Sequence, residues 1–282
     1  MAGSLYVVST PIGNLDDITV RALNTLKSVG LVAAEDTRRT GLLLRHFGIA
    51  TPVTSLHEHN EKQKVPALLG RLREGSDVAV VSDAGTPLVA DPGQRLIAAA
   101  IAEGVRVIPV PGTSAVLAAL AASGYPADEF VFAGFAPSRS KDRIDWLARL
   151  AAETRTVVFF EAPHRIAKTL AAMPDLFGDR PITIARELTK LHEEVTHTTA
   201  QALAEIQIVE RGEFTIVLGP YLQIKDATTN VNDLELSSYF YHMTDSGDTS
   251  RRKAVLATAL KFGLSPNDVY ARLERMKEPK PS

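Results

Sequence analysis

Cysteine is absent from all 282 residues, which excludes a disulfide framework and thiolate metal ligands and fits a reducing compartment. Long hydrophobic runs are missing too: no apolar stretch reaches the roughly 18 to 20 residues of a membrane span. Positive charge is not in excess, since 31 Lys and Arg against 33 Asp and Glu leave a net charge of −2. No global field therefore draws the molecule to nucleic acid, and an RNA site has to be a local patch. No G-x-G-x-x-G follows the first apolar run and no Gly-Lys-Ser/Thr occurs, which disfavours nicotinamide and nucleoside triphosphate chemistry. His57 and His59 lie beside Glu58 and Glu61, but the H-E-x-x-H spacing is lacking, and no metal site is expected. Met1–Ser9 has neither a basic n-region nor a cleavage site and reads as a first strand, so a soluble cytoplasmic protein without membrane contact is expected. There is no internal repeat and no low-complexity segment.

What is present is apolar residue in quantity, 45% of the chain, enough to bury more than one core. Short β-branched runs alternate with periodic helical segments up to about Val110, the pattern of βαβ units in a mostly parallel sheet. The expected strands are Leu5–Ser9, Leu31–Ala34, Val53–Leu56, Val78–Ser82 and Val105–Val110, with helices such as Val20–Ser28 and Gln94–Glu103 between them. After Pro111-Gly112 a helix, Ser114–Ala122, precedes strand-like Phe130–Phe135, Val157–Glu161, Ile182–Glu187 and Phe214–Leu218. Little helix separates some of these, which predicts a mixed or largely antiparallel second sheet. The expected organisation is two α/β domains, 1–112 and 113–222, then a polar linker and start of tail over 223–249 and a small helical tail over 250–282.

Ligands of open α/β sheets bind outside the carboxyl ends of the strands, so the loops leaving those ends are the candidate site. Thr10-Pro11-Ile12-Gly13-Asn14 follows the first strand and turns sharply, although Asn14 or Asp17 can equally cap the next helix. Ser82-Asp83-Ala84-Gly85-Thr86-Pro87, followed by Asp91-Pro92-Gly93, sets a carboxylate among small residues after the most hydrophobic strand; a plain Asx turn is the alternative. Pro111-Gly112-Thr113-Ser114-Ala115 opens a helix whose first N–H groups are unpaired. In the second half, polar clusters at strand ends include Phe135-Ala136-Pro137, Glu161-Ala162-Pro163-His164-Arg165, Arg186-Glu187-Leu188-Thr189-Lys190 and Arg211-Gly212-Glu213-Phe214-Thr215. Structural ion pairs and helix caps would give the same pattern.

Taken in order, Thr10–Asn14, Glu35-Asp36-Thr37-Arg38, His57-Glu58-His59-Asn60-Glu61, Ser82–Pro87, Phe160–Arg165 and Arg186–Lys190 resemble the ribosomal RNA small subunit methyltransferase I family, a branch of the tetrapyrrole methylase superfamily. The resemblance spans essentially the whole chain. Leu88, Thr113 where Pro is common, and Ala133 where a larger or acidic residue is usual depart from the pattern. The resemblance implies two α/β domains of that superfamily, S-adenosylmethionine in the cleft between them, and a homodimer. It also implies that Ile12, Gly13, Asp83, Ala84, Gly85, Thr86, Ser114, Ala115, Phe160, Glu161, Ala162 and Thr215 line the cofactor. The implied substrate is the 2′-hydroxyl of a cytidine in the decoding region of 16S ribosomal RNA in the small subunit.

A sulfonium methyl is a good electrophile and a ribose hydroxyl a poor nucleophile, so the protein must align the two and supply a base or a cation for the developing alkoxide. Glu187, Lys190 and Arg186 form one candidate catalytic group, with Lys190 or Arg186 offsetting oxyanion charge; His57 and Glu58 form another. From Ser250 onward, eight basic residues face three acidic ones in a helix, turn, helix pattern, a local phosphate-binding patch. Arg38, His57 and Glu58 at the strand ends, with Arg251, Arg252 and Lys253 at the head of the tail, are the candidate RNA contacts. Two readings compete: another methylase of the superfamily, acting on a tetrapyrrole or diphthamide precursor, and a non-catalytic RNA-binding or ribosome-assembly protein.

Overall fold

A computed structural model describes residues 2–221, 232–245, 251–262, 264 and 266–276. Five short strands, β1 (Leu5–Val8), β2 (Leu31–Ala34), β3 (Val53–Ser55), β4 (Val78–Val81) and β5 (Val107–Val110), form a parallel sheet in the order β3-β2-β4-β1-β5. Its helices are α1 (Val20–Ser28), α2 (Thr37–His46), α3 (Glu61–Arg73) and α4 (Gln94–Ala102). Val78-Ala79-Val80-Val81 is buried throughout because helices cover both faces of its sheet. Leu5, Leu72, Val80 and Leu96 meet on one side, and Val8, Leu26, Val32 and Ala79 on the other.

The strand order places the site. β1 lies between β4 and β5, so the loop after Val8 neighbours those after Val81 and Val110 although both are distant in sequence. The chain runs outward from β1 to β3 and returns through β4, which makes the centre of the sheet its switch point. Glu61 helps to hold this end together: its buried carboxylate accepts the backbone N–H groups of Arg95 (2.8 Å) and Leu96 (3.3 Å), capping α4, whose own N-cap is Gly93. Part of the His57–Glu61 block is therefore structural.

The second sheet is mixed. Strands β6 (Phe130–Phe135), β7 (Thr156–Glu161), β8 (Pro181–Arg186), β9 (Glu194–Thr199) and β10 (Phe214–Leu218) take the order β6-β7-β10-β8-β9, with β6 and β7 parallel and the other pairs antiparallel. One face packs on α6 (Ser140–Ala151), α7 (Pro163–Ala171) and α8 (Pro174–Phe177) around Phe159, Ile166 and Ile216. The other face receives α5 (Ala115–Ser123) through Val116, Ala119 and Leu120. β9 has no counterpart among the strands read from sequence, because Glu194-Val195-Thr196-His197-Thr198-Thr199 is a polar edge strand with no fully buried residue.

Three helices follow, α9 (Asp233–Asp245), α10 (Arg251–Phe262) and α11 (Pro266–Arg275), around Leu236, Phe240, Val255, Val269 and Leu273. α9 falls in the stretch read from sequence as linker and start of tail; residues 223–231 and 246–249 of that stretch lie outside the described residues. Among the described residues, no helix is long and apolar enough to cross a membrane.

Candidate active site

The three central loops are tied to one another by short polar contacts. Thr10 and Gly85 exchange backbone hydrogen bonds, both 2.9 Å. The Thr86 hydroxyl donates to the Thr113 carbonyl at 3.0 Å and lies 3.0 Å from the Ser9 hydroxyl, while the Thr113 hydroxyl donates to the Thr10 carbonyl. Thr113 thus makes a cross-loop bond that a proline there would lack. Asn14 caps the short helical turn after β1 by accepting from the Asp16 N–H.

These loops and the ends of β6, β7 and β10 enclose a cavity of about 350 Å³. Ile12, Asp83, Ala84, Gly85, Thr86, Ser114, Ala115, Phe160, Glu161, Ala162 and Thr215 line it. Glu161 does so with its charge turned inward: its oxygens accept from the Ala162 N–H (2.7 Å), Arg165 Nε (2.9 Å) and the Thr169 hydroxyl. The carboxylate fixes the β7–α7 turn and thereby the backbone that faces the cavity.

Further lining residues are not assigned to the cofactor from sequence: Glu35, Arg39, Val89, Ala90, Asp91, Phe135, Glu213 and Phe214. Glu35 belongs to the Glu35–Arg38 block and Arg39 adjoins it, while Asp91, Phe135, Glu213 and Phe214 sit in clusters already noted, so the signal was local but not specific. Phe135 depends on a β-bulge. The β6–β7 register shifts between Phe132 and Phe135 where Gly134 takes φ +71°, a conformation that suits glycine. The shift leaves the Phe135 ring 5.1 Å from that of Phe160 and 55% exposed at the cavity. The wall opposite carries backbone strain, with Leu88 at φ +74° and Ala90 at +66° around Val89.

Besides Glu161 and Glu213, three carboxylates that feel one another's charge line this cavity: Glu35, Asp83 and Asp91. Asp83 accepts the Asp36 N–H at 2.9 Å and lies 3.5 Å from Arg39 Nη1. Burial pushes Glu35 above the usual carboxylate range, and the charges of Asp83 and Asp36 add to that, against a hydrogen bond from the Asp83 N–H and the nearby Arg39. Burial raises Asp91 to about 6, helped by Glu35 and Asp83 and opposed by a hydrogen bond with Ser82. Such an arrangement favours a cation.

A second cavity, about 410 Å³, adjoins the first and shares Ile12, Arg39, Asp83, Ala84 and Glu213 with it. Gly13 and Lys190 line it. They touch across the two halves of the chain: a Cβ on Gly13 would sit 2.4 Å from Lys190 Cγ and 2.8 Å from Thr189 Oγ1, so only glycine permits this approach. Lys190 Nζ donates to Glu187 Oε1 at 2.7 Å and Glu213 Oε2 at 3.1 Å. The Glu213 N–H donates to the same Glu187 oxygen at 3.0 Å. Glu187 and Thr189 hold φ values of +52° and +68°, so the loop that presents Lys190 is strained. Hydrogen bonding from Lys190 keeps Glu187 below the usual carboxylate range. Desolvation pulls Lys190 down, but the two carboxylates outweigh it and raise its affinity for the proton. Lys190 is therefore a cation at neutral pH and cannot act as a base.

The other candidates separate from this centre. Arg186 pairs with Glu194 on the β8–β9 edge (3.0 and 3.1 Å) and lines neither cavity, which leaves Lys190 as the cation of its cluster. His57 and Glu58 also lie outside both linings; the His57 N–H donates to Asn60 Oδ1 at 2.9 Å, and its ring Nε2 is 3.0 Å from Asn60 Nδ2. Arg38 forks onto Asp36 at 2.7 and 3.1 Å with its side chain 88% exposed. On the tail, Arg251 lies 3.5 Å from Glu274, and the side chains of Arg252 and Lys253 lie outside the described residues.

Residues 4–204 match the tetrapyrrole (corrin/porphyrin) methylases, and the chain belongs to that family. Among solved structures, diphthine synthase superposes with a TM-score of 0.61 at 18% identity, covering 77% of this chain and 90% of that one. Uroporphyrin-III-C-methyltransferase from Thermus thermophilus gives 0.55 at 19% identity, covering 77% and 94%. At such identities the likeness speaks for the fold alone. Curated relatives carry the finer assignment. Ribosomal RNA small subunit methyltransferase I of Mesorhizobium japonicum is 43% identical over 279 residues, 98% of this chain and 92% of the relative. That of Haemophilus influenzae is 41% identical over 275 residues, 96% of each. Within the tetrapyrrole methylases the chain belongs to the ribosomal RNA small subunit methyltransferase I family, enzymes that use S-adenosylmethionine.

Proposed function

We propose that this protein transfers a methyl group from S-adenosylmethionine to the ribose 2′-oxygen of a cytidine in the decoding region of 16S ribosomal RNA. The observation that carries the chemistry is the pair of joined cavities, one lined by Glu35, Asp83 and Asp91, the other reached by Lys190. The cofactor, when bound, supplies an electrophilic methyl on a sulfonium. Glu35, Asp83 and Asp91 suit its cationic sulfonium and ammonium groups, and Phe135 and Phe160 suit its adenine. The acceptor hydroxyl enters from the second cavity, where Lys190 Nζ steadies negative charge on its oxygen. The Glu213 carboxylate, which borders both cavities and accepts from Lys190, takes the proton. The basic C-terminal helices add phosphate contacts. The chain acts as a homodimer, with Leu191, 92% exposed beside Lys190, available to a second copy.

The test is transfer of labelled methyl to unmodified small subunits, with mapping of the labelled atom. Label on the 2′-oxygen of a decoding-region cytidine is expected; label on a base, or none despite cofactor binding, overturns the reading. A second outcome follows from Asp91. With a carboxyl at about 6, it is largely protonated at pH 5 and ionised at pH 7, and a bound cation favours the ionised form. Cofactor affinity measured by calorimetry is expected to rise severalfold from pH 5 to pH 7, and Asp91→Asn to flatten that rise. An unchanged slope in the variant removes Asp91 from the site.

A further inference from the structure

The second cavity is lined by more apolar surface than a sugar and a phosphate can use. Pro11, Leu15, Leu42 and Leu43 join Ile12 there, and Leu42 is 62% exposed although α2 has a core to pack against. Exposed apolar side chains gathered at a polar cleft mark a binding surface. Ribose and phosphate are hydrophilic and gain nothing from leucine, whereas a nucleobase does. Arg39 and Lys190 both line the same cavity, and Arg39 meets Asp83 only at 3.5 Å with its side chain largely in solvent. A cation so loosely held can turn to a phosphate.

The route to the reacting atoms narrows the choice further. The two cavities share Ile12, Arg39, Asp83, Ala84 and Glu213, so the acceptor oxygen has to reach the boundary that these residues form. A nucleotide stacked in a helix would bring both of its neighbours against the cavity walls, whereas one splayed out of the strand would not. We infer that this cavity takes a single nucleotide lifted out of its stack, with its base against Leu15, Leu42 and Leu43, a flanking phosphate on Arg39, and the ribose at the junction. The inference rests on the proposed ribose methylation and names the state in which that substrate is bound. Continuity with the cofactor cavity and the flanking cations favour the nucleotide over a second copy of the chain as occupant.

Small subunits reconstituted with pyrrolocytidine at the acceptor position report stacking by fluorescence. Binding the full chain with S-adenosylhomocysteine is expected to raise that fluorescence. Leu42 lines the acceptor cavity but not the cofactor cavity, and its exposure lets Leu42→Glu fold. Loss of the apolar base contact, with a carboxylate set beside the strand's phosphates, predicts a rise in the RNA KM of at least about fivefold, no fluorescence rise at matched protein concentration, and an unchanged cofactor Kd. Leu42→Met restores both readouts. Flat fluorescence with the parent protein, or a Leu42→Glu variant with unchanged KM, overturns the extruded nucleotide. So does a Leu42→Glu variant that sediments as a monomer where the parent is a dimer, since the surface then belongs to a second copy. Because unstacking is read without methyl transfer, the two proposals fail separately. Methylation without a fluorescence rise removes only the extruded nucleotide; a fluorescence rise without ribose methylation removes only the reaction.

Discussion

Lys190→Ala is expected to lower kcat by about 10²- to 10³-fold on small subunits while leaving the Kd for S-adenosylmethionine unchanged. The size follows from what the ammonium does in the proposed reaction. A ribose hydroxyl losing its proton while its oxygen attacks carries growing negative charge, and a fixed cation in a recess stabilises that charge more than water does. Lys190 is fixed: two carboxylates hold Nζ at 2.7 and 3.1 Å, and the strained loop at Glu187 and Thr189 packs on Gly13. The selectivity follows from position, because Lys190 lines the acceptor cavity and not the cofactor cavity. Glu213→Gln separates the base from the cation. It keeps the side chain's shape but removes its capacity to accept a proton, so kcat should fall although Lys190 stays in place. Full methylation by Lys190→Ala would end the oxyanion role, and full methylation by Glu213→Gln would end the base.

How far such roles can be read from sequence depends on what generates them. The parallel strands were legible because Val78-Ala79-Val80-Val81 and its neighbours are continuous apolar runs between turn residues, a one-dimensional signal. The same holds for loops 10–14, 82–87 and 111–115, where Pro and Gly punctuate the chain. β9 was not legible, since an edge strand needs no buried face and Glu194–Thr199 offers none. Of the acidic face of the cofactor cavity, only Asp83 was legible. Glu35, Asp83 and Asp91 come from two different strand ends and one strained turn, and only the return of the chain through β4 brings them together. Arg186, Glu187 and Lys190 looked like one group because they are adjacent in sequence. In the sheet, Arg186 stands opposite Glu194 in the β8–β9 register and pairs with it, while the turn after β8 carries Lys190 to the cavity.

Glu161 puts the distinction between lining a site and building one to a direct test. The motif Phe160-Glu161-Ala162 resembles a cofactor-contacting strand end, yet the Glu161 side chain has no exposed surface and its oxygens are taken up by Ala162, Arg165 and Thr169. Ala162, the N-cap of α7, offers no side-chain cap, so the carboxylate also satisfies a first-turn N–H and favours the positive end of the helix. Glu161→Ala strands a mostly buried guanidinium and a buried hydroxyl. Breaking a buried pair in this way is expected to cost about 3–5 kcal/mol. At about 2–4 °C per kcal/mol for a protein of this size, Tm should drop by roughly 6–20 °C. Saturating S-adenosylmethionine should recover part of the loss by mass action, and the affinity of the still-folded variant at low temperature should stay within a few-fold of the parent. A role in direct cofactor contact predicts the reverse, an unchanged Tm with a large loss of affinity. Calorimetric Tm and Kd on the same preparation decide between them, because the carboxylate cannot point at Arg165 and at the cofactor at once.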